Sequence, residues 1–255
     1  MKWKVIAKSV MGTSHEHTGK GCEDAVESRV IELPDQSEVL ICCVSDGAGS
    51  ARYAGEAAAL TTRTMVEAFQ QQVLENKEID ENSTRLVLET VYDTLQQQAF
   101  ENGTALNEYS CTCIAAVIFE SKAIFLQIGD GVIVREDGGG FYTPVFWPYN
   151  DEYLNSTSFL IDNINFPFLK VLCIDHCINE LSLMTDGLQN LTLNNESQSV
   201  HQPFFSELFK WLRVANHHEQ VTILQGKLEG YLHSPIINSR TDDDKTLLLA
   251  TRFTS

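Results

Sequence analysis

Positive charge is scarce in this chain. Eighteen Lys and Arg stand against 35 Asp and Glu, a formal net charge of −17. A field of that sign repels phosphate backbones, so no nucleic-acid partner is expected. Long apolar runs are missing as well; none approaches the ~20 residues that a membrane-spanning helix needs. The opening stretch MKWKVIAKSVMG is interrupted by Lys8 and is too mixed for a secretory signal. The expectation is a cytoplasmic protein with no membrane partner. The seven cysteines contain no C-x-x-C pair, which argues against a zinc ribbon and a thioredoxin-like site. Cys42, Cys43, Cys111, Cys113 and Cys173 sit in apolar runs and read as buried, reduced thiols. Cys173, His176 and Cys177 lie close together in sequence, but without a second ligand pair a structural role is favoured over a metal site. No Pro/Gly/Ser-rich linker and no solenoid repeat divide the 255 residues. One domain over 1–255 with one sizeable core is expected, with a lid section near 141–166 as a candidate.

Period-two and β-branched runs predict strands at Trp3–Val10, Ala25–Leu33 and Glu38–Ser45. LPDQSE joins the last two as a hairpin loop. Two helices follow. GEAAALTTRTMVEAFQQQVLE places Ala59, Met65, Val66, Phe69 and Val73 near helical spacing. STRLVLETVYDTLQQQAFE opens on Ser83 as N-cap and places Leu86, Val87, Val91, Leu95 and Phe100 on one face. Strands return at CTCIAAVIFE, KAIFLQIGD and VIVRE, and FLKVLCI and ELSLMTDG read as another strand pair. PFFSELFKWLRVA and EQVTILQGKLEGYL read as helices, and KTLLLATRF closes the chain. Helices in pairs between groups of strands argue for an α+β fold with antiparallel sheets and outer helices.

Carboxylates recur where apolar runs end. VSDG ends in Asp46-Gly47, IGDG in Asp130-Gly131 and MTDG in Asp186-Gly187. CEDA adds Glu23 and Asp24, and TDDDKT adds Asp242, Asp243 and Asp244. A single Asp-Gly is usually only a turn. Three at the ends of apolar strands would converge if the strands align. Converging carboxylates need cations, and hard oxygen ligands without a His/Cys set suit Mg²⁺ or Mn²⁺.

CEDA, VSDGAGS, IGDG, LMTDG and DDDKTLLLA, in this order, resemble the motifs of the metal-dependent serine/threonine phosphatases (PPM, protein phosphatase type 2C). GTSHEHTGKGCEDA and WPYNDEY resemble a bacterial branch. The motifs span residues 12–250. The resemblance implies a two-sheet β-sandwich flanked by helices (an αββα arrangement), with a metal centre at one end. It implies that Asp46 bridges two ions, that Gly47 offers its carbonyl, and that Asp186 and Asp243 complete the first site. Glu23 matches a ligand of the second ion, Asp24 an acid that orients the water, and Asp130 with Asp186 a third, weaker site. Asp242 and Asp244 remain alternatives to Asp243. The implied reaction is hydrolysis of phosphoserine and phosphothreonine by a hydroxide bridging two metals, without a phospho-enzyme. The implied partners are a phosphoprotein substrate and a cognate serine/threonine kinase in a signalling role.

Two positions depart from the family pattern. The histidine that some members carry after the first Asp-Gly is Ala48, and the arginine before the Glu-Asp pair is Gly19. Lys20, Arg52 and His15 are the candidates for phosphate binding, with Lys20 lacking the bidentate geometry of arginine. Rival readings are a degenerate module that binds phosphoproteins, and a metal-dependent hydrolase of another phosphoester. GAGSARYAG has Arg52 at the third glycine position and no Lys-Ser/Thr, so a nucleotide loop is disfavoured.

Overall fold

A computed structural model describes residues 2–148 and 157–252. Its strands are β1 (Lys4–Val10), β2 (Asp24–Glu32), β3 (Glu38–Asp46), β4 (Cys113–Ile118), β5 (Ala123–Ile128), β6 (Val132–Glu136), β7 (Tyr142–Pro144), β8 (Lys170–Ile174), β9 (Glu180–Met184), the short β10 (Leu193–Asn194) and β11 (Ser199–Val200), and β12 (Lys245–Thr251). The helices are α1 (Thr13–Thr18), α2 (Ala54–Leu74), α3 (Glu81–Glu101), α4 (Gln189–Thr192), α5 (Gln202–Val214), α6 (His218–Leu232) and α7 (Pro235–Asn238).

Two antiparallel five-stranded sheets form the centre. Their orders are β1-β12-β9-β6-β7 and β2-β3-β4-β5-β8. Leu40, Cys42 and Val44 of β3 pack across the gap with Ile133, Leu181, Leu183, Leu248 and Ala250 of the facing sheet. The alternate residues Ile41 and Cys43 turn outward against Met65, Phe69, Leu88 and Leu95 of α2 and α3. On the other sheet, Leu247 and Leu249 turn outward against Phe205, Phe209 and Leu232 of α5 and α6. The inner strands are therefore buried on both faces. That is why they read as continuous apolar runs such as VLICCV rather than as clean alternation. Each such side chain contributes about 1.5–3 kcal/mol by leaving water.

The αββα arrangement matches the expectation, with local corrections. FLKVLCI and ELSLMTDG do not pair with each other. β8 adds to β5, and the chain then crosses so that β9 pairs with β12 and β6 in the opposite sheet. The N-cap of α3 is Asp80, not Ser83; the Asp80 carboxylate accepts the Ser83 amide while the Ser83 hydroxyl accepts the Asp80 amide. Ala59, Leu86 and Phe100 are exposed, and Ala57, Ala58, Leu88 and Ala99 take the buried face instead. Cys42, Cys43, Cys111 and Cys113 are buried, whereas Cys173 and Cys177 are exposed; all seven thiols are free. Part of the 141–166 section is packed: Tyr142 lies under α5, and Leu160, Ile161 and Phe166 join the α2–α3 layer. Residues 149–156, with most of WPYNDEY, lie outside the described residues.

Candidate metal centre

Antiparallel pairing brings the carboxylates to one end of the sandwich. Asp24, the first residue of β2, lies in register with Asp46, the last of β3. Asp186 follows β9, Asp243 precedes β12, and Asp130 sits in the β5–β6 turn. Burial pushes the Asp46 carboxyl up to about 11, with Asp24, Asp186, Asp243 and Asp130 adding their negative charge in that order. Burial likewise raises Asp24 to about 8 and, with Asp130 and Asp243, Asp186 to about 6. A hydrogen bond from Asp46 offsets part of the rise at Asp186. These are carboxylates arranged against their own repulsion.

The backbone around them is held tightly. Thr112 exchanges two hydrogen bonds with Asp46, its hydroxyl accepting the Asp46 amide at 2.9 Å and its amide donating to the Asp46 carbonyl at 2.8 Å. Gly47 donates to the Glu23 carbonyl at 3.1 Å. A Cβ on Gly47 would lie 2.4 Å from the Ala54 carbonyl oxygen, so only glycine lets the turn pass under α2. Gly187 makes a closer approach, its virtual Cβ 2.0 Å from the Asp244 carbonyl oxygen. Asp244 itself is buried and fully engaged. It accepts the Gly12 amide at 2.6 Å, the Glu23 amide at 2.5 Å and His15 Nδ1 at 3.0 Å. Asp130 accepts the Thr157 hydroxyl at 2.7 Å on its carboxylate and the Gln189 amide at 2.6 Å on its carbonyl.

The donor set fits Mg²⁺ or Mn²⁺. Among the described residues no group of three or more His, Cys, Asp or Glu side chains stands close enough together to hold a metal ion. Magnesium-type ions are usually held by one or two carboxylates with waters completing the shell, so an open arrangement of hard oxygens suits them. Asp46, Asp186, Asp243, Asp130, Glu23 and the Gly47 carbonyl could serve as ligands. Asp242 is exposed and contributes its carbonyl to the Ser14 amide.

The phosphate-binding candidates are spread around this end. Lys20 Nζ bridges Glu23 at 3.2 Å and the Gly49 carbonyl at 3.1 Å. His15 lies between Asp244 and Glu23, its Nε2 3.6 Å from the Glu23 carboxylate. Arg52 is exposed and rests over the Tyr53 ring, 5.3 Å from its centroid. Sequence reasoning missed Thr185 and Thr246, which both donate to Asp24 at 2.8 Å. Their signal was a threonine beside each carboxylate motif, in MTDG and DDDKT. Also missed was the bracing role of Asp244, which sequence cannot separate from its neighbours Asp242 and Asp243.

A profile of the protein phosphatase 2C family matches residues 11–232, and the chain belongs to that family. It is 34% identical over 253 residues to serine/threonine-protein phosphatase 3 of Escherichia coli (strain K12), covering 98% of each chain. Among solved structures, the serine/threonine phosphatase Stp1 from Staphylococcus aureus aligns with a TM-score of 0.59 at 15% identity, over 99% of this chain and 96% of that one. PppA of Pseudomonas aeruginosa aligns at 0.58 and 18%, over 99% of both. RsbX in complex with magnesium aligns at 0.56 and 15%, over 98% of this chain and 94% of that one. These structural likenesses show the fold.

Proposed function

We propose that this end of the sandwich hydrolyses phosphoserine and phosphothreonine by direct attack of hydroxide on phosphorus, without a phospho-enzyme. The chain is a protein-serine/threonine phosphatase by family and by its similarity to the Escherichia coli enzyme along nearly its whole length. The observation that carries the site assignment is that Asp24, in register with the half-buried Asp46, meets Asp186 after β9, Asp243 before β12 and Asp130 in the β5–β6 turn at one end of the sandwich. In this reading Asp46, the Gly47 carbonyl, Glu23, Asp186 and Asp243 hold two Mn²⁺ or Mg²⁺ ions, and Asp130 with Asp186 holds a third. When bound, such ions neutralise the phosphoryl oxygens and lower the pKa of the attacking water. Asp24 orients that water from beside Asp46. Lys20 offers a point charge to the phosphate at the Gly47–Gly49 turn. Asp243 rather than Asp244 is the ligand, because the Asp244 oxygens already accept two amides and His15. Cys22, near Asp24, has its thiol pushed up to about 12 by burial, which makes it a poor nucleophile.

The substrate is a phosphoprotein, and a serine/threonine kinase must supply it. Among the described residues no helix is long and apolar enough to cross a membrane. Seven free thiols fit a reducing compartment, and the cytoplasm is the proposed location. The test is phosphate release from a phosphothreonine peptide with Mn²⁺, after EDTA, and after Mn²⁺ is restored. Activity that vanishes with EDTA and returns with Mn²⁺ is expected; activity unaffected by EDTA would sink the metal assignment. Metal binding without turnover of any phosphoester would favour a phosphoprotein-binding module.

A further inference from the structure

Asp24 belongs to one sheet, yet its carboxylate is held by the other. Its Oδ2 accepts the hydroxyl of Thr185, just beyond β9, at 2.8 Å, and the hydroxyl of Thr246, in β12, at 2.8 Å. Thr246 Oγ1 also lies 2.7 Å from Ser9 Oγ of β1. Thr185 Oγ1 accepts the Thr246 amide at 3.0 Å. Asp24, Thr185 and Thr246 are all buried.

The proton positions follow from the groups themselves. A hydroxyl carries one proton, and Oδ2 accepts from both threonine hydroxyls. Thr185 therefore commits its proton to Oδ2, while the Thr246 hydroxyl donates towards both Oδ2 and Ser9 Oγ. The amide of Thr246 occupies a lone pair of Thr185, which turns the Thr185 hydroxyl towards Asp24. No donor among the described residues reaches Oδ1.

We propose that Thr185 and Thr246 are positioning residues for the phosphatase reaction: by fixing Oδ2 they present Oδ1 of Asp24 to the attacking water. The inference rests on the assignment of Asp24 as the acid that orients water. Two hydroxyls on one oxygen set the rotation of the carboxylate. A single threonine would leave the carboxylate free to swing about its remaining bond. The two come from neighbouring strands of one sheet and approach the same oxygen of a residue in the other sheet. The orientation is thus built into the packing of the sandwich.

Steady-state hydrolysis of p-nitrophenyl phosphate with Mn²⁺ tests this, using Thr185→Val, Thr185→Ser and Asp24→Asn, alone and combined. Loss of an outer-shell partner of this kind typically costs about 10–100-fold in activity. Thr185→Val is expected to lower kcat by about that factor with KM within about twofold. Thr185→Ser, which keeps the hydroxyl, is expected to restore most of the loss. In the Asp24→Asn background the valine change should have almost no further effect on kcat, because the two residues act as one unit. Thr246→Val and Thr246→Ser repeat the test, so that a variant that fails to fold leaves the other to decide. A merely structural brace would lower the melting temperature and leave the kcat of the folded enzyme intact, and that result overturns the inference. If Asp24→Asn loses activity while both valine variants keep theirs, the inference fails and the site assignment stands. If Asp24→Asn keeps wild-type kcat, the assignment fails and takes the inference with it.

Discussion

Asp24 and Asp46 face each other across the β2–β3 pair, the first residue of one strand against the last of the other. Like charges directly opposite on neighbouring strands repel. Here Asp24 is buried and Asp46 half-buried, and Asp186 and Asp243 add to the repulsion at Asp46. Such an arrangement costs stability unless cations offset it, and it belongs to function rather than to folding.

Metal and stability are therefore linked at Asp46. Mn²⁺ at about 100 times its dissociation constant should stabilise the wild-type protein by about 2.7 kcal/mol. Asp46→Asn should melt higher than wild type in EDTA, yet gain little from Mn²⁺. Thermal unfolding with and without Mn²⁺ checks both; a variant that melts lower in EDTA would contradict the repulsion argument.

Asp243 and Asp244 should separate cleanly. Asp244→Ala orphans the Gly12 and Glu23 amides, at about 1–3 kcal/mol for each unsatisfied donor. Hydrogen exchange at those two amides should accelerate. Asp243→Ala should leave global stability within about 0.5 kcal/mol, as an exposed change does, while weakening Mn²⁺ binding in calorimetry. The reverse pattern would make Asp244 the ligand.

Gly47→Ala should be poorly tolerated. Its Cβ would meet the Ala54 backbone at 2.4 Å, with no flexible side chain to move aside. Overpacking of this kind costs about 1–3 kcal/mol, to be read from the urea midpoint. Turnover should fall as well, because the same shift moves the Gly47 carbonyl.

Far from the site, Glu180 is fully buried in β9 and accepts from Arg213 Nε at 2.7 Å, Arg213 Nη2 at 2.6 Å, Tyr142 at 2.7 Å and Thr251 at 3.0 Å. Arg213→Met strands that carboxylate and should destabilise the fold by about 3–5 kcal/mol. Specific activity of the folded fraction should be unchanged, which equilibrium unfolding and an assay at low temperature can separate.

The sequence carried the layered fold because strands buried on both faces leave unbroken apolar runs, and paired helices between them are amphipathic. It carried the carboxylate positions because each follows or precedes such a run. Other features were less legible. Leu86 and Phe100 are exposed because the phase of a long helix is settled by its partners, not by its apolar content. Ser83 caps from inside the first turn, since α3 starts before its apolar pattern does. The threonine clasp on Asp24 joins residues from three separated segments, and no local spacing encodes it. The crossing between β8 and β9 likewise depends on sheet choice, which two apolar runs in succession do not specify.

The central claim is that Asp46 anchors a divalent-cation centre for phosphoester hydrolysis. The most direct measurement is kcat for a phosphothreonine peptide at saturating Mn²⁺, wild type against Asp46→Asn, with folding confirmed by melting. A centre of this kind is worth several kcal/mol, so kcat should fall by about a thousandfold, or ~4 kcal/mol. A folded Asp46→Asn protein that keeps its kcat within about tenfold of wild type would contradict the account.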